Sequence, residues 1–170
     1  MKRLLVAVVS ALVLAGPAMA RDEPSTDAAQ ERAERDIPPP VVSETRHTGV
    51  FGGERIAYRA IAGETYLKDK DGEPLAAIVS YSYIKEGPTD PNRPVTFLWN
   101  GGPGSGSLWL HMGAFGPKRV VVPSDARDEG APPFPIIDNP DSLLDVTDIV
   151  FIDPVGTGFS RALGKTDPAD

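Results

Sequence analysis

The sequence predicts an α/β domain in which an antiparallel meander leads into a mixed, mostly parallel sheet. Three observations carry this. Across residues 43–85, β-branched and aromatic residues alternate in part with polar ones, and Gly52-Gly53 and Asp69-Lys70-Asp71-Gly72 separate the runs. Asp-Gly is a strong hairpin-turn signal. Further on, residues 95–99 (Val-Thr-Phe-Leu-Trp) and 149–152 (Ile-Val-Phe-Ile) form nearly continuous apolar runs, the pattern of strands covered on both faces. Between these two runs lies a glycine-rich turn followed by a helical stretch, the order of a right-handed parallel crossover.

The elements follow in chain order. Lys2 and Arg3 precede an apolar run over residues 4–15 broken only by Ser10, then Gly16-Pro17 and Ala18-Met19-Ala20. This is the pattern of a secretory signal peptide, residues 1–20, cleaved after Ala20. The run is too short to span a bilayer, which takes about 20 apolar residues. Residues 21–42 read as a disordered leader ending in Pro38-Pro39-Pro40, with almost no large apolar side chains to bury. The folded part begins at residue 43. Strands are expected at 43–50, 54–62 and 75–85. In the last of these, Val79, Tyr81 and Tyr83 share one face and Ile78, Ser80, Ser82 and Ile84 the other. A loop over 88–94 precedes the apolar strand at 95–99. A helix is expected over about 105–114, a short strand at 120–122, a long Pro- and Asp-rich loop over 125–140, and the second apolar strand at 149–152.

Composition narrows the function. Gly and Pro, 17 and 18 of 170 residues, make about a fifth of the chain, against a usual share of roughly 12%. Much of the chain is therefore turn and loop. The chain contains no Cys and only two His. Disulfides, thiolate zinc sites, a cysteine nucleophile and a three-His metal site are excluded. The formal net charge is −7; without Lys2 and Arg3, 15 basic residues stand against 24 acidic ones, a net charge of −9. No basic face for nucleic acid is expected. Export without cysteine fits a bacterial periplasmic or secreted protein.

The chemistry is expected in the turn Asn100-Gly101-Gly102-Pro103-Gly104-Ser105-Gly106-Ser107, at the join of a buried strand and a helix. Backbone N–H groups and the positive end of a helix there suit a negative oxygen, and glycines admit close approach of a ligand. A phosphate loop needs Lys after the last Gly, where Ser107 stands. A dinucleotide fingerprint needs Gly at position 107. Two readings stay open: a tight turn without a ligand, and an oxyanion loop comparable to the one after the third strand of α/β-hydrolases.

The run Phe97-Leu98-Trp99-Asn100-Gly101-Gly102-Pro103-Gly104-Ser105 resembles the Trp-x-Asn-Gly-Gly-Pro-Gly signature of the serine carboxypeptidase family. Residues 148–160, a buried strand running into Pro154-Val155-Gly156-Thr157-Gly158-Phe159-Ser160, are similar to that family's next block. The resemblance covers residues 95–160 and implies the N-terminal part of an α/β-hydrolase fold, incomplete in this chain. It implies hydrolysis of peptides from the C-terminus through an acyl-enzyme formed by a Ser-Asp-His triad. It also implies that Asn100, through its side chain, and Gly101, through its main chain, bind the substrate's terminal carboxylate. The Gly102 N–H would form half of the oxyanion hole, worth roughly 3–4 kcal/mol per donor. The expected partner is a peptide with a free C-terminal carboxylate, and no cofactor or metal is expected. Three positions depart from the pattern. Trp99 adjoins Asn100, one residue later than in many relatives. Ser105 stands where many have a disulfide Cys, and Ala114 where well-studied members have a carboxylate-binding Glu.

The triad itself has no counterpart. No Ser has Gly at both −2 and +2; Gly158-Phe159-Ser160-Arg161-Ala162 comes nearest, but residues 154–159 separate Ser160 from the strand and no His follows. A nucleophile elbow turns sharply from strand to helix. The chain alone is therefore expected to be inactive, and to leave strand edges and an apolar sheet face unpaired. Alternatives are a non-catalytic carboxylate-binding module and an acyltransferase or other hydrolase of the same fold. His111 reads as a packing or cap residue of the helix and His47 as exposed. Asp138, Asp141, Asp145 and Asp148 lack the alternate spacing and Gly of a calcium loop and read as solvated loop and cap positions. Asp153, ending the second apolar strand, suits either function or turn stabilisation.

Overall fold

The computed structural model describes residues 37–88, 90–101, 104–122, 131–164 and 166. The expected signal peptide, residues 21–36 of the leader, and Gly102 with Pro103 lie outside the described residues. Three long strands form the meander: β1 (Val42–Phe51), β2 (Glu54–Lys68) and β3 (Pro74–Lys85). Gly52 and Gly53, both at positive φ, make the two-residue turn between β1 and β2, with Phe51 opposite Glu54. This is the glycine-favoured hairpin geometry that the sequence signals. Asp69 organises the second turn, its carboxylate accepting the N–H groups of Asp71 and Glu73.

The rest of the sheet is built from β4 (Val95–Leu98), β7 (Asp148–Ile152) and β8 (Arg161–Ala162). The strand order is β1-β2-β3-β7-β4, with β8 also pairing β3. The sheet is mixed, but the expected predominance of parallel pairing is not found. Only β4 and β7 run parallel among the described strands, and every other ladder of this sheet is antiparallel. The physical reason is connectivity: a parallel pair needs a long crossover, and the described residues hold one, from β4 to β7, while hairpins supply the meander.

That crossover contains less helix than expected. One α-helical turn, α1 (Leu108–Leu110), runs directly into a π-helical turn, His111–Phe115. Gly116 closes it by donating to the His111 carbonyl at 2.9 Å. A Cβ at Gly116 would collide with that carbonyl, so glycine ends the helix there. A small hairpin follows, β5 (Lys118–Val120) with β6 (Ile136–Asp138). Strand β6 falls within the stretch expected to be loop. Buried Asn139 then donates from Nδ2 to the carbonyls of Ala114 and Gly116, and Ser142 Oγ donates to that of Phe115. Two polar side chains thus satisfy the carbonyls that the helix end leaves open.

One face of the sheet holds the core. Ile56, Tyr58, Ile149 and Phe151 are buried there with Phe51 and Leu144, flanked by Tyr81, Tyr83, Leu98, Leu110 and Phe115. On the other face, Val95, Phe97 and Trp99 stand about half exposed or more, and Phe97 lies opposite Val150. The continuous apolar run of β4 therefore does not mark burial on both sides; among the described residues β4 is an edge strand with one uncovered face.

Arg93 fastens the β4 end of the sheet. Its Nε donates to Asp148 Oδ1 at 2.8 Å and its terminal nitrogens reach the carbonyls of Leu144 and Asp145. At the leader end, Tyr66 Oη donates to the Pro38 carbonyl and Glu64 N to that of Val41, both at 2.9 Å. The last leader residues thus lie along β2.

Strands β7 and β8 occupy the same side of β3. Asp153 N donates to the Val79 carbonyl, and β8 resumes the ladder with Arg161 opposite Ala77. Between these points residues 154–159 loop out with no counterpart on β3. Ser160 closes the neck: its Oγ accepts the Val79 N–H at 2.7 Å and donates to the Asp153 carbonyl at 2.7 Å.

Candidate functional site

Strands β4 and β7 are adjacent and parallel, so their C-terminal ends open at the same place. The glycine turn leaves the first and the looped-out turn leaves the second. In α/β sheets ligands bind outside the carboxyl ends of strands. Residues 104–107 and 153–160, nearly fifty positions apart in the sequence, are brought together there.

Asp153 joins them. It is buried, and its Oδ1 accepts both the backbone N–H of Ser107 at 2.7 Å and the Ser107 hydroxyl at 2.8 Å. Ser107 is fully buried. The carboxylate thereby holds the start of α1 against the end of β7. A Cβ at Gly106 would lie 3.3 Å from Asp153 Oδ1 and 3.4 Å from Gly158 N, and one at Gly158 would run into Asp153 Oδ2. Glycine at 158, with φ +53, is required both by backbone conformation and by the carboxylate beside it. Of the two roles the sequence allows Asp153, the turn-stabilising one is visible in these bonds.

The residues expected to bind a carboxylate lie at the mouth of this arrangement. Asn100 is half-buried; its Nδ2 donates to Ser105 Oγ over a long 3.4 Å, and its Oδ1 is buried without a partner among the described residues. Gly101 is exposed, with nothing within 4 Å of where a Cβ would stand. Its main chain is open to approach. Gly102, the expected oxyanion donor, lies outside the described residues.

Behind the turn sits His111, buried on the π-turn. Its ring stacks on Phe151 at 4.6 Å and lies 5.0 Å from Tyr81, and its Nε2 is 2.5 Å from Tyr83 Oη. Burial pushes the imidazole down to about 4, against a weaker opposing pull from the Asp153 carboxylate. Burial likewise pushes the Tyr83 hydroxyl up to about 12. Both groups are therefore neutral near pH 7, and the phenol and the imidazole share one hydrogen bond. With Nε2 occupied in this way, His111 is a packing residue, as its place in the helix suggests. Tyr81 is also raised, first by burial and then by Asp153. The pairing of Tyr83 and Tyr81 with His111 has no local signature, because it joins β3 to a turn about 28 residues later. The signal for Ser107 was its place at the start of the helix, although it binds Asp153 instead of capping its own turn.

Ser160 cannot serve as a nucleophile in this conformation. It is buried, and its hydroxyl is spent on the Val79 N–H and the Asp153 carbonyl. His47 is exposed on β1, paired with Thr45 Oγ1 at 2.8 Å and stacked on Tyr58. Of the aspartates of the second half, Asp138 pairs with Lys118, and Asp148, on β7, pairs with Arg93. Among the described residues no group of three or more His, Asp or Glu is placed to hold a metal ion.

Beside the looped-out turn runs a shallow, mainly apolar groove of about 660 Å³, walled by Val41, Ala62, Val79, Tyr81 and Phe159. Glu64 and Arg161 close one side as an ion pair at 2.6 Å. Arg161, followed by the Val41 N–H, holds the Glu64 carboxyl below its ordinary range. Phe159 is largely exposed over this groove. No known protein-family profile matches the chain.

Proposed function

We propose that these residues form the carboxylate-binding turn and half of the oxyanion hole of a serine carboxypeptidase-like enzyme of the α/β-hydrolase fold. The intact enzyme would hydrolyse a peptide bond at the C-terminus of its substrate through an acyl-enzyme. The observation that supports this reading is the meeting of residues 104–107 and 153–160 beyond the ends of two adjacent parallel strands, joined by Asp153 and Ser107. They overlap the two segments that carry the resemblance. In this reading the Asn100 amide and the Gly101 main chain take the substrate's terminal carboxylate, and the Gly102 N–H stabilises the oxyanion.

No Ser of the chain stands in a Gly-x-Ser-x-Gly elbow, and in this reading the chain by itself would bind and not hydrolyse. A second reading, a carboxylate-binding module without catalysis, uses the same turn and needs no nucleophile, and the Ser160 hydroxyl beside it is occupied. Both readings place the chain outside the cytoplasm, with residues 1–20 removed on export; a mature N-terminus at Arg21 is the corresponding expectation.

Titration with a short peptide, followed by Trp fluorescence, tests the site. Binding should require a free C-terminal carboxylate and weaken at least ten-fold in Asn100→Ala. Equal binding of the amidated peptide would overturn both readings. Labelling of the purified chain by a fluorophosphonate would overturn the statement that it lacks a nucleophile.

A further inference from the structure

The outer edge of β1 is the longest unpaired strand edge among the described residues. Strand β1 is ten residues long, ends the sheet, and is exposed from Val42 to Thr48. Which backbone groups it presents follows from its pairing with β2. Glu64 N donates to the Val41 carbonyl, directly in line with the register of Val42 opposite Gly63. In an antiparallel ladder hydrogen-bonded pairs alternate with non-bonded ones. The odd-numbered residues of β1 therefore bond inward to β2. Val42, Glu44, Arg46 and Thr48 turn their N–H and C=O groups outward.

From this we infer that the chain associates with a second copy of itself through β1, antiparallel about a two-fold axis at Thr45. A two-fold axis normal to the sheet places each residue opposite one of the same parity, so the outward-facing residues meet one another. Centred on Thr45, Glu44 lies opposite Arg46 and Val42 opposite Thr48, each pair exchanging both backbone bonds. On the other face Thr45 meets Thr45 and Ser43 meets His47. Opposite charges across a strand pair stabilise it, and like charges destabilise it. Moving the axis to residue 44 sets Glu44 against Glu44, and moving it to 46 sets Arg46 against Arg46. The charge pattern thus selects one register of a closed, isologous contact. Both charged groups have capacity left. Arg46 uses Nε for Glu86 and its side chain is 74% exposed; Glu44 uses Oε2 for Arg59. Charges on an edge strand ordinarily discourage pairing, but this pair is self-complementary.

The absence of native cysteine makes the register measurable by disulfide trapping in the purified chain. At low micromolar concentration and under mild oxidation, Thr45→Cys should form a covalent dimer at least ten-fold faster than Thr65→Cys, an exposed position on β2. Val42→Cys and Thr48→Cys should cross-link when mixed and not separately. In the Thr45→Cys background, Glu44→Arg should slow trapping at least ten-fold. Adding Arg46→Glu should restore it, although the double change leaves both intrachain pairs, with Arg59 and Glu86, repulsive. Trapping of Thr45→Cys no faster than Thr65→Cys would overturn the proposal, whether the edge is bare or covered by residues 1–36. Self-linking of Val42→Cys at the rate of the mixture, or no rescue by the charge swap, would overturn it as well.

Discussion

Asp153 Oδ1 accepts both the N–H and the hydroxyl of Ser107, so the residue directly after β7 fixes the residue directly before α1. Hydrogen bonds to a charged group are worth about 1.5–3 kcal/mol each, and a buried donor left unpaired adds its own desolvation cost. Asp153→Ala should therefore lower unfolding stability by about 3 kcal/mol or more in urea titrations. Asp153→Asn keeps one acceptor oxygen and should cost less, and Ser107→Ala, which removes only the hydroxyl bond, least of the three.

Gly158 and Gly156 separate conformational from steric demand. Both have positive φ, but only at 158 would a Cβ meet the Asp153 carboxylate; at 156 there is open space. Gly156→Ala should cost about 1 kcal/mol for the left-handed backbone, and Gly158→Ala at least twice that. In a double-mutant cycle with Asp153→Ala the two changes should couple, because they share the carboxylate.

His111 sets part of the acid sensitivity. Its pKa falls from 6.5 to about 4 on folding, chiefly through burial. The folded chain then binds fewer protons than the unfolded one, so stability rises with pH across this window. The contribution is complete above pH 6.5 and is lost as pH falls toward about 4, a loss of roughly 3 kcal/mol. Glu64 acts lower: its lowered carboxyl contributes above its ordinary 4.5 and loses that contribution below it. Replacing Tyr83 and His111 together by Phe removes both hydrogen-bonding partners at once. The double variant should show a flat stability profile between pH 6.5 and 5, measured by denaturant midpoints, while acid unfolding at lower pH remains.

Val95, Phe97 and Trp99 leave an apolar patch on the face away from the core. Exposed contiguous apolar surface favours association. The purified chain should bind a hydrophobic dye and self-associate nonspecifically at high concentration. Phe97→Ser should reduce dye fluorescence severalfold with little loss of stability, since that ring is 56% exposed. A sharp cooperative melt without dye binding would contradict this expectation.

What the sequence made legible was local. Gly52-Gly53 and Asp71-Gly72 located the hairpins because their turns need residues that tolerate positive φ. The apolar runs located β4 and β7. Neighbourhood was not legible: an apolar run looks the same in a central strand and in an edge strand, and Phe97 and Phe151 differ only in what lies over them. The β5–β6 hairpin was hidden because Pro- and Asp-rich sequence weakens strand propensity, and register with Lys118–Val120 overrides it. The helix came out shorter than its sequence suggested, since Gly113 and Gly116 weaken it and the π-turn is held by distant Asn139 and Ser142. At the candidate site, the glycine turn and the Pro154–Ser160 segment were each visible, while their junction through Asp153 and Ser107 was a property of the fold alone.

Because Ser160 replaces a backbone rung at the neck of residues 154–159, the sheet on either side does not feel what that excursion carries. Val155 and Phe159 project from it, 40% and 73% exposed. Substitutions at Phe159, which walls the neighbouring groove, can reshape it while β3, β7 and β8 keep their register. The turn is in this sense an interchangeable tip on a fixed handle, a place where binding preference can be retuned at little expense to folding.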